Sequence, residues 1–192
     1  MKPSAAADAP LYVAVLNGPN LNLLGRREPA LYGRDTLADV EARLRTLGDE
    51  LGVALAFVQR NGEGELVDAV HALGGAAPAA DGSRGAFPGG ARAHGALVNA
   101  GAYSHTSLAL RDALTGVALP FIEVHVTNVY AREPERRHSM LAPAAVGVVC
   151  GLGTFGYEVA LRGLVHTLRA RRPVAAVSAG AGRAATARSL DG

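Results

Sequence analysis

Residues 11–20, LYVAVLNGPN, run six apolar side chains straight into an Asn-Gly-Pro-Asn turn. An unbroken apolar run of that length suits a strand covered on both faces, and the turn residues end it cleanly. The same reading extends outward along the chain. Residues 53–58 (VALAFV), 96–98 (ALV), 120–126 (PFIEVHV) and 145–150 (AVGVVC) form four more strand-like runs. Between them, 36–51, 63–73, 104–114 and 154–169 carry apolar residues at helical spacing. In the first of these, Leu37, Val40, Leu44, Leu47 and Leu51 mark one face, and Thr36 with Asp39 gives a capping-box start.

Strands alternating with helices predict an α/β fold, a parallel sheet covered on both faces. With five strands the expected arrangement is a flavodoxin-like three-layer sandwich. A chain of 192 residues suits one domain, expected over 11–170. Two kinds of segment stand outside that pattern. Residues 74–95 are rich in Gly, Ala and Pro and lack periodicity, so a flexible insertion is expected there. Residues 1–10 and 171–192 read as a disordered leader and a low-complexity, disordered tail.

Composition narrows the chemistry. Of 19 basic residues only Lys2 is a lysine, so the folded part offers no amine for a Schiff base and no P-loop lysine. A net charge of +2, with no basic helix carrying interleaved aromatics, argues against nucleic acid. No apolar run reaches the roughly 18 residues of a membrane span, no secretory signal layout opens the chain, and Cys150 stands alone; a cytoplasmic protein is expected. The histidines show no metal-ligand spacing, so no metal is expected.

In open parallel sheets, ligands bind beyond the carboxyl ends of the strands. Here those ends read Asn17-Gly18-Pro19-Asn20, Gln59-Arg60-Asn61, Asn99-Ala100-Gly101 and, after Glu123 and His125, Thr127-Asn128. Turn chemistry accounts for any one Asn. Four polar ends together favour a shared site. Glu123 and His125 are two apart on one strand and share a face. A carboxylate beside an imidazole orients it and stabilises the imidazolium, as a general acid requires. A structural ion pair is the equally supported alternative on these residues alone.

The loop Gly25-Arg26-Arg27-Glu28-Pro29 leads to Tyr32-Gly33. It reads either as a solvated turn or as a lid carrying a tyrosine base. Tyrosinate at neutral pH requires about three pKa units, roughly 4 kcal/mol, which adjacent guanidinium groups in a closed pocket can supply. A second basic segment, Arg132-Glu133-Pro134-Glu135-Arg136-Arg137-His138, reads as a charged surface loop or as a clamp for carboxylates and hydroxyls. Gly151-Leu152-Gly153-Thr154-Phe155-Gly156 matches a dinucleotide fingerprint, but it follows the last strand and no acidic residue lies near 175–179. Its glycines are expected to allow close packing of strand, turn and helix, and no cofactor is expected.

Residues 17–33 (NGPNLNLLGRREPALYG), 99–112 (NAGAYSHTSLALRD), 122–128 (IEVHVTN) and 151–157 (GLGTFGY) resemble, in order, the motifs of the type II dehydroquinases. The resemblance runs from about Leu11 to Leu168. It implies a flavodoxin-like subunit assembled into trimers and a dodecamer, and cofactor-free anti elimination of water from 3-dehydroquinate through an enolate. That reaction fits both the shikimate pathway and quinate breakdown. By resemblance, Tyr32 is the base, Arg27 keeps it ionised with Arg26 alongside, and Asn20 holds the water that stabilises the enolate oxygen. His125 protonates the departing hydroxyl, positioned by Glu123 and Asn99. Val126, Thr127 and Asn99 meet the substrate carboxylate, His105 and Arg136 hold ring hydroxyls, and Asp112 reaches a neighbouring subunit's site.

This sequence departs from the family's pattern at Glu135, Tyr130 and Arg60, where an aromatic residue, a histidine and a serine are frequent, and in the length of 74–95. Two rival readings remain. A flavin or nucleotide carrier would leave Tyr32, Arg27 and the Glu123–His125 pair without roles. A non-catalytic relative has to explain why every proposed catalytic group is present.

Overall fold

The computed structural model describes residues 10–26, 33–76 and 87–171. Five parallel strands, β1 (Leu11–Asn17), β2 (Val53–Gln59), β3 (Gly95–Asn99), β4 (Phe121–His125) and β5 (Gly147–Cys150), form one sheet in the order β2-β1-β3-β4-β5. That is the flavodoxin-like order. β3 and β4 are buried throughout and β1 nearly so, whereas the edge strands β2 and β5 are mostly half-buried. Strands buried on both faces have no need of polar alternation, which explains the continuous apolar runs.

The α-helices among the described residues are α1 (Leu37–Leu51), α2 (Glu63–Leu73), α3 (Tyr103–Thr106), α4 (Leu108–Gly116) and α5 (Gly156–Arg171). Alternate residues of β1 divide between the two faces of the sheet, as the pleat requires. Leu11, Val13 and Val15 pack with Val40, Leu44 and Leu47 of α1 and Leu161, Leu164 and Leu168 of α5. Ala14 and Leu16 pack with Leu66, Val70 and Leu73 of α2 and Leu110 and Leu114 of α4. The result is three layers with a core on each side of the sheet. Among the described residues, no helix is long and apolar enough to cross a membrane.

Local signals act as their chemistry dictates. Thr36 Oγ1 accepts from the Asp39 amide at 3.2 Å while Asp39 Oδ2 accepts from the Thr36 amide at 2.8 Å, closing the capping box of α1. The helix expected over 104–114 is two helices. Ser107 has extended backbone and its hydroxyl accepts from the Leu110 amide at 2.9 Å, so it caps α4 and breaks the path from α3.

Of the stretch 74–95, residues 74–76 and 87–95 are among those described, and the latter pack against the sheet side of the fold. Phe87 is buried and its ring lies 4.8 Å from that of Tyr12. His94 Nδ1 accepts from the Tyr12 amide at 2.9 Å, and the Ala93 amide donates to Leu73 O at 2.8 Å. The Phe87 ring, the His94 ring nitrogen and the Ala93 amide dock the described part of this segment, where Gly and Ala hid any period. Residues 77–86 lie outside the described residues, as do 1–9 and 172–192 with the leader and tail expected there.

The glycines of 151–156 are consistent with turn and packing roles. Gly151 has φ 82°, and a Cβ there would meet Asn128 Cβ at 3.1 Å. Gly18 is the tighter case: a Cβ would sit 2.3 Å from Ala100 O, against backbone that cannot swing away. Gly18→Ala is therefore expected to cost about 1–3 kcal/mol through overpacking, which thermal unfolding would show as a fall of roughly 2–12 °C in Tm. An unchanged Tm would mean that the β1 and β3 ends separate without cost.

Candidate active site

The carboxyl ends of β1, β3 and β4 lie side by side, so the polar turns that follow them converge. Asn17 pairs with Asn99 in the register of β1 and β3, and the Gly18 amide donates to Asn99 O at 2.8 Å. Beyond these ends lies a cavity of about 170 Å³ lined by Asn20, Asn99, His105, His125, Val126, Thr127, Arg132 and Arg136, with Pro19, Leu21, Leu24 and Val129 as its apolar wall. Thr127, Val126 and Arg132 also border a depression running along Gly33, Asp35 and Gly151–Phe155.

At the base of the cavity, His125 Nε2 lies 2.9 Å from Glu123 Oε1. Glu123 is fully buried, and a buried carboxylate persists only when partnered. The second partner is Ser139, whose hydroxyl lies 2.7 and 2.9 Å from the two carboxylate oxygens. With Nε2 engaged, Nδ1 is the nitrogen of His125 left to serve a bound molecule.

The His105 ring stacks on His125 with centroids 5.9 Å apart. Its Nδ1 lies 2.7 Å from His138 O. A carbonyl only accepts, so Nδ1 carries the hydrogen. Burial pushes the His105 imidazole below its usual value, partly opposed by His138 O and reinforced by His125 and Arg136. The neutral ring therefore presents Nε2 as an acceptor, suited to a hydroxyl.

Asn99 is held from behind. Its Nδ2 donates to the Tyr157 hydroxyl at 2.9 Å, and that hydroxyl donates to Asn17 Oδ1 at 2.6 Å. Tyr157 is fully buried on α5, and burial pushes its phenol well above the usual value, so it remains a neutral hydroxyl. The Gly101 amide donates to Asn99 Oδ1 at 3.3 Å. Tyr157→Phe would strand two buried amide atoms, each costing about 1–3 kcal/mol. We expect lower stability in urea and a several-fold rise in KM as Asn99 loosens. An unchanged KM would separate Tyr157 from the site.

On the opposite wall Arg132 Nη1 donates to Thr127 Oγ1 at 3.3 Å. Glu133 bridges Arg132 Nε at 3.1 Å and Arg136 Nε at 2.6 Å. Its own backbone amide, then Arg136 and Arg132, bring the Glu133 carboxyl down to about 2. Asn20 sits at φ 67° with its amide donating to Asn61 Oδ1 at 3.0 Å. Tyr103 and Gln59 tie the same Asn61 to the turns around it.

Seven sequence-derived candidates thus line one cavity: Asn20, Asn99, His105, His125, Val126, Thr127 and Arg136. Glu123 lies behind His125. Asp112 is not brought to the cavity; it is exposed on α4, 3.6 Å from Arg111 Nε. Arg27 and Tyr32 lie outside the described residues. Glu135, Tyr130 and Arg60 are exposed. Sequence reading missed Ser139, the buttressing roles of Tyr157 and Asn17, and the lining role of Arg132; the polar end of β1, the motif at 151–157 and the basic run around Arg132 each carried a signal, and Ser139 carried none. Among the described residues, no group of three or more His, Cys, Asp and Glu side chains is placed to hold a metal ion.

A parallel sheet that gathers two imidazoles, amides and two guanidinium groups around so small a cavity defines an enzyme of small polar metabolites. The family model for dehydroquinase class II matches residues 11–165. The chain is 54% identical over 162 residues to 3-dehydroquinate dehydratase of Gemmatimonas aurantiaca, covering 84% of this chain and 96% of that one. It is 54% identical over 153 residues to 3-dehydroquinate dehydratase 2 of Ralstonia nicotianae, covering 80% and 92%. Among solved structures, type II dehydroquinase from Butyrivibrio crossotus matches with a TM-score of 0.71 at 31% identity, over 83% of this chain and 99% of that one. The Propionibacterium acnes type II dehydroquinase matches with a TM-score of 0.68 at 37% identity, over 82% and 99%. The chain belongs to the class II dehydroquinase family.

Proposed function

We propose that this chain dehydrates 3-dehydroquinate to 3-dehydroshikimate in the shikimate pathway, by anti elimination through an enolate. The observation that carries the reading is the His125 imidazole, fixed by a fully buried carboxylate and facing a polar cavity. Tyr32 as phenolate takes the proton from the carbon next to the ketone, with Arg27 stabilising its charge. The electron pair moves onto the ketone oxygen, where a water held by Asn20 stabilises the enolate. As the enolate collapses, the carbon–oxygen bond breaks and His125 delivers a proton to the departing hydroxyl, releasing water and a conjugated enone. Gly33, next in sequence to Tyr32, borders the depression that joins the cavity, which supports a base delivered from that side.

Val126, Thr127 and Asn99 receive the substrate carboxylate, while His105 and Arg136 hold ring hydroxyls. The acceptor Nε2 of His105 suits that task. The exposed carboxylate of Asp112, away from its own cavity, suits a role in a neighbour's site within a trimer-based dodecamer in the cytoplasm. No cofactor takes part.

The test is the appearance of the enone's ultraviolet absorbance when protein is added to 3-dehydroquinate. A steady rise unaffected by chelator or borohydride is expected. No rise from folded, oligomeric protein would overturn the reading.

A further inference from the structure

The geometry points to Ser139 as a positioning residue that sets the proton arrangement of the Glu123–His125 pair, acting through Glu123. This inference rests on the proposed acid role of His125.

The hydroxyl of Ser139 accepts from the Leu141 and Ala142 amides, each at 3.0 Å. Both lone pairs are therefore occupied, and its one hydrogen points at the Glu123 carboxylate, the acceptor it lies against. The turn at Leu141 is itself fixed: Leu141 is fully buried in the core on the α2–α4 side of the sheet, and the Met140 amide donates to Ser104 O at 2.8 Å. Backbone geometry thus dictates the direction of a side-chain proton.

A fixed donor on the carboxylate has a defined consequence. It disperses the negative charge that Glu123 presents to the imidazole. The hydrogen between the pair then stays on His125 Nε2, and Nδ1 is the nitrogen that exchanges a proton with the substrate. It also tempers the hold of Glu123 on the imidazolium, so that the proton can leave. Among the described residues, the other titratable or charged groups around His125 are the stacked His105 and, lining the same cavity, Arg132 and Arg136; Cys150 pairs with it across the sheet. None of these touches the far side of the carboxylate, which Ser139 alone among the described residues covers with a hydroxyl.

Ser139→Ala removes the donor. We expect kcat to fall on the order of ten-fold with KM little changed. The limb of the kcat–pH profile belonging to the pair should move to higher pH, because the less dispersed charge holds the proton more tightly. Ser139→Thr, which restores a hydroxyl, should bring both back. Because alanine also removes the acceptor for two amides, Ser139→Cys serves as a second variant with a side chain but a weak donor.

Hydrogen–deuterium exchange at the imidazole Cε1 of His125, followed against pH by peptide mass spectrometry, reads the same titration without substrate. An upward shift in the Ala or Cys variant, reversed in Thr, supports the proposal. An unshifted exchange midpoint, or a loss of activity that only follows a loss of stability, overturns it. If wild-type protein fails to convert 3-dehydroquinate, the functional reading falls, yet the exchange midpoints still decide what Ser139 does.

Discussion

His125→Ala is expected to lower kcat by about 10²–10⁴, or roughly 3–5 kcal/mol of barrier, while the protein stays folded. Hydroxide is a poor leaving group, and the expected loss is what a positioned general acid contributes. The imidazole is held by one hydrogen bond to Glu123 and a stack against His105, so its removal leaves both cores of the sandwich intact. It does leave the fully buried Glu123 carboxylate with Ser139 as its remaining partner among the described residues, so a loss of stability accompanies the loss of rate. Steady-state kinetics on the enone absorbance, with circular dichroism to confirm folding, make the check. Near-normal turnover would remove His125 from the proposed chemistry and return the pair to a structural role.

That pair shows how much of the molecule was legible in sequence. Strand periodicity alone puts Glu123 and His125 on one face, because the pleat fixes the direction of every second residue. The layer order followed from the same local logic, and 63–73 is helical over those residues. Local signals failed where a side chain competes with the backbone, as at Ser107, whose cap splits a period that otherwise runs on. They are silent at Phe87, whose ring packs 4.8 Å from that of Tyr12.

The residues missed at the site share one property: each reaches it through tertiary structure. Tyr157 occupies an ordinary core position of α5 by spacing, yet its hydroxyl joins the ends of β1 and β3 across 140 and 58 positions of sequence. Ser139 looks like one more polar loop residue until the chain turn at Leu141 aims it at Glu123. Asp112 came from the resemblance alone, whereas the arginine loop before Tyr32 offered a tyrosine base or a solvated turn and the resemblance chose the first.

Tyr32→Phe is expected to lower kcat by a similar or larger factor than His125→Ala, and the two losses should differ in kind. If proton abstraction precedes departure of the hydroxyl, the enzyme without its acid still forms the enolate and returns it to substrate. In D2O the His125→Ala protein should then place deuterium on the carbon next to the ketone faster than it makes product. The Tyr32→Phe protein has no base to remove that proton, so recovered substrate should carry no more deuterium than an enzyme-free control. Mass spectrometry of the recovered 3-dehydroquinate reads both. The phenol must lose about three pKa units to act at neutral pH, roughly 4 kcal/mol from its surroundings, so Arg27→Ala should move activity toward alkaline pH instead of abolishing exchange. Exchange by the Tyr32→Phe protein at the wild-type rate would assign the base elsewhere. Product formation without exchange by His125→Ala would argue that the two bonds break together and that no enolate stands between them.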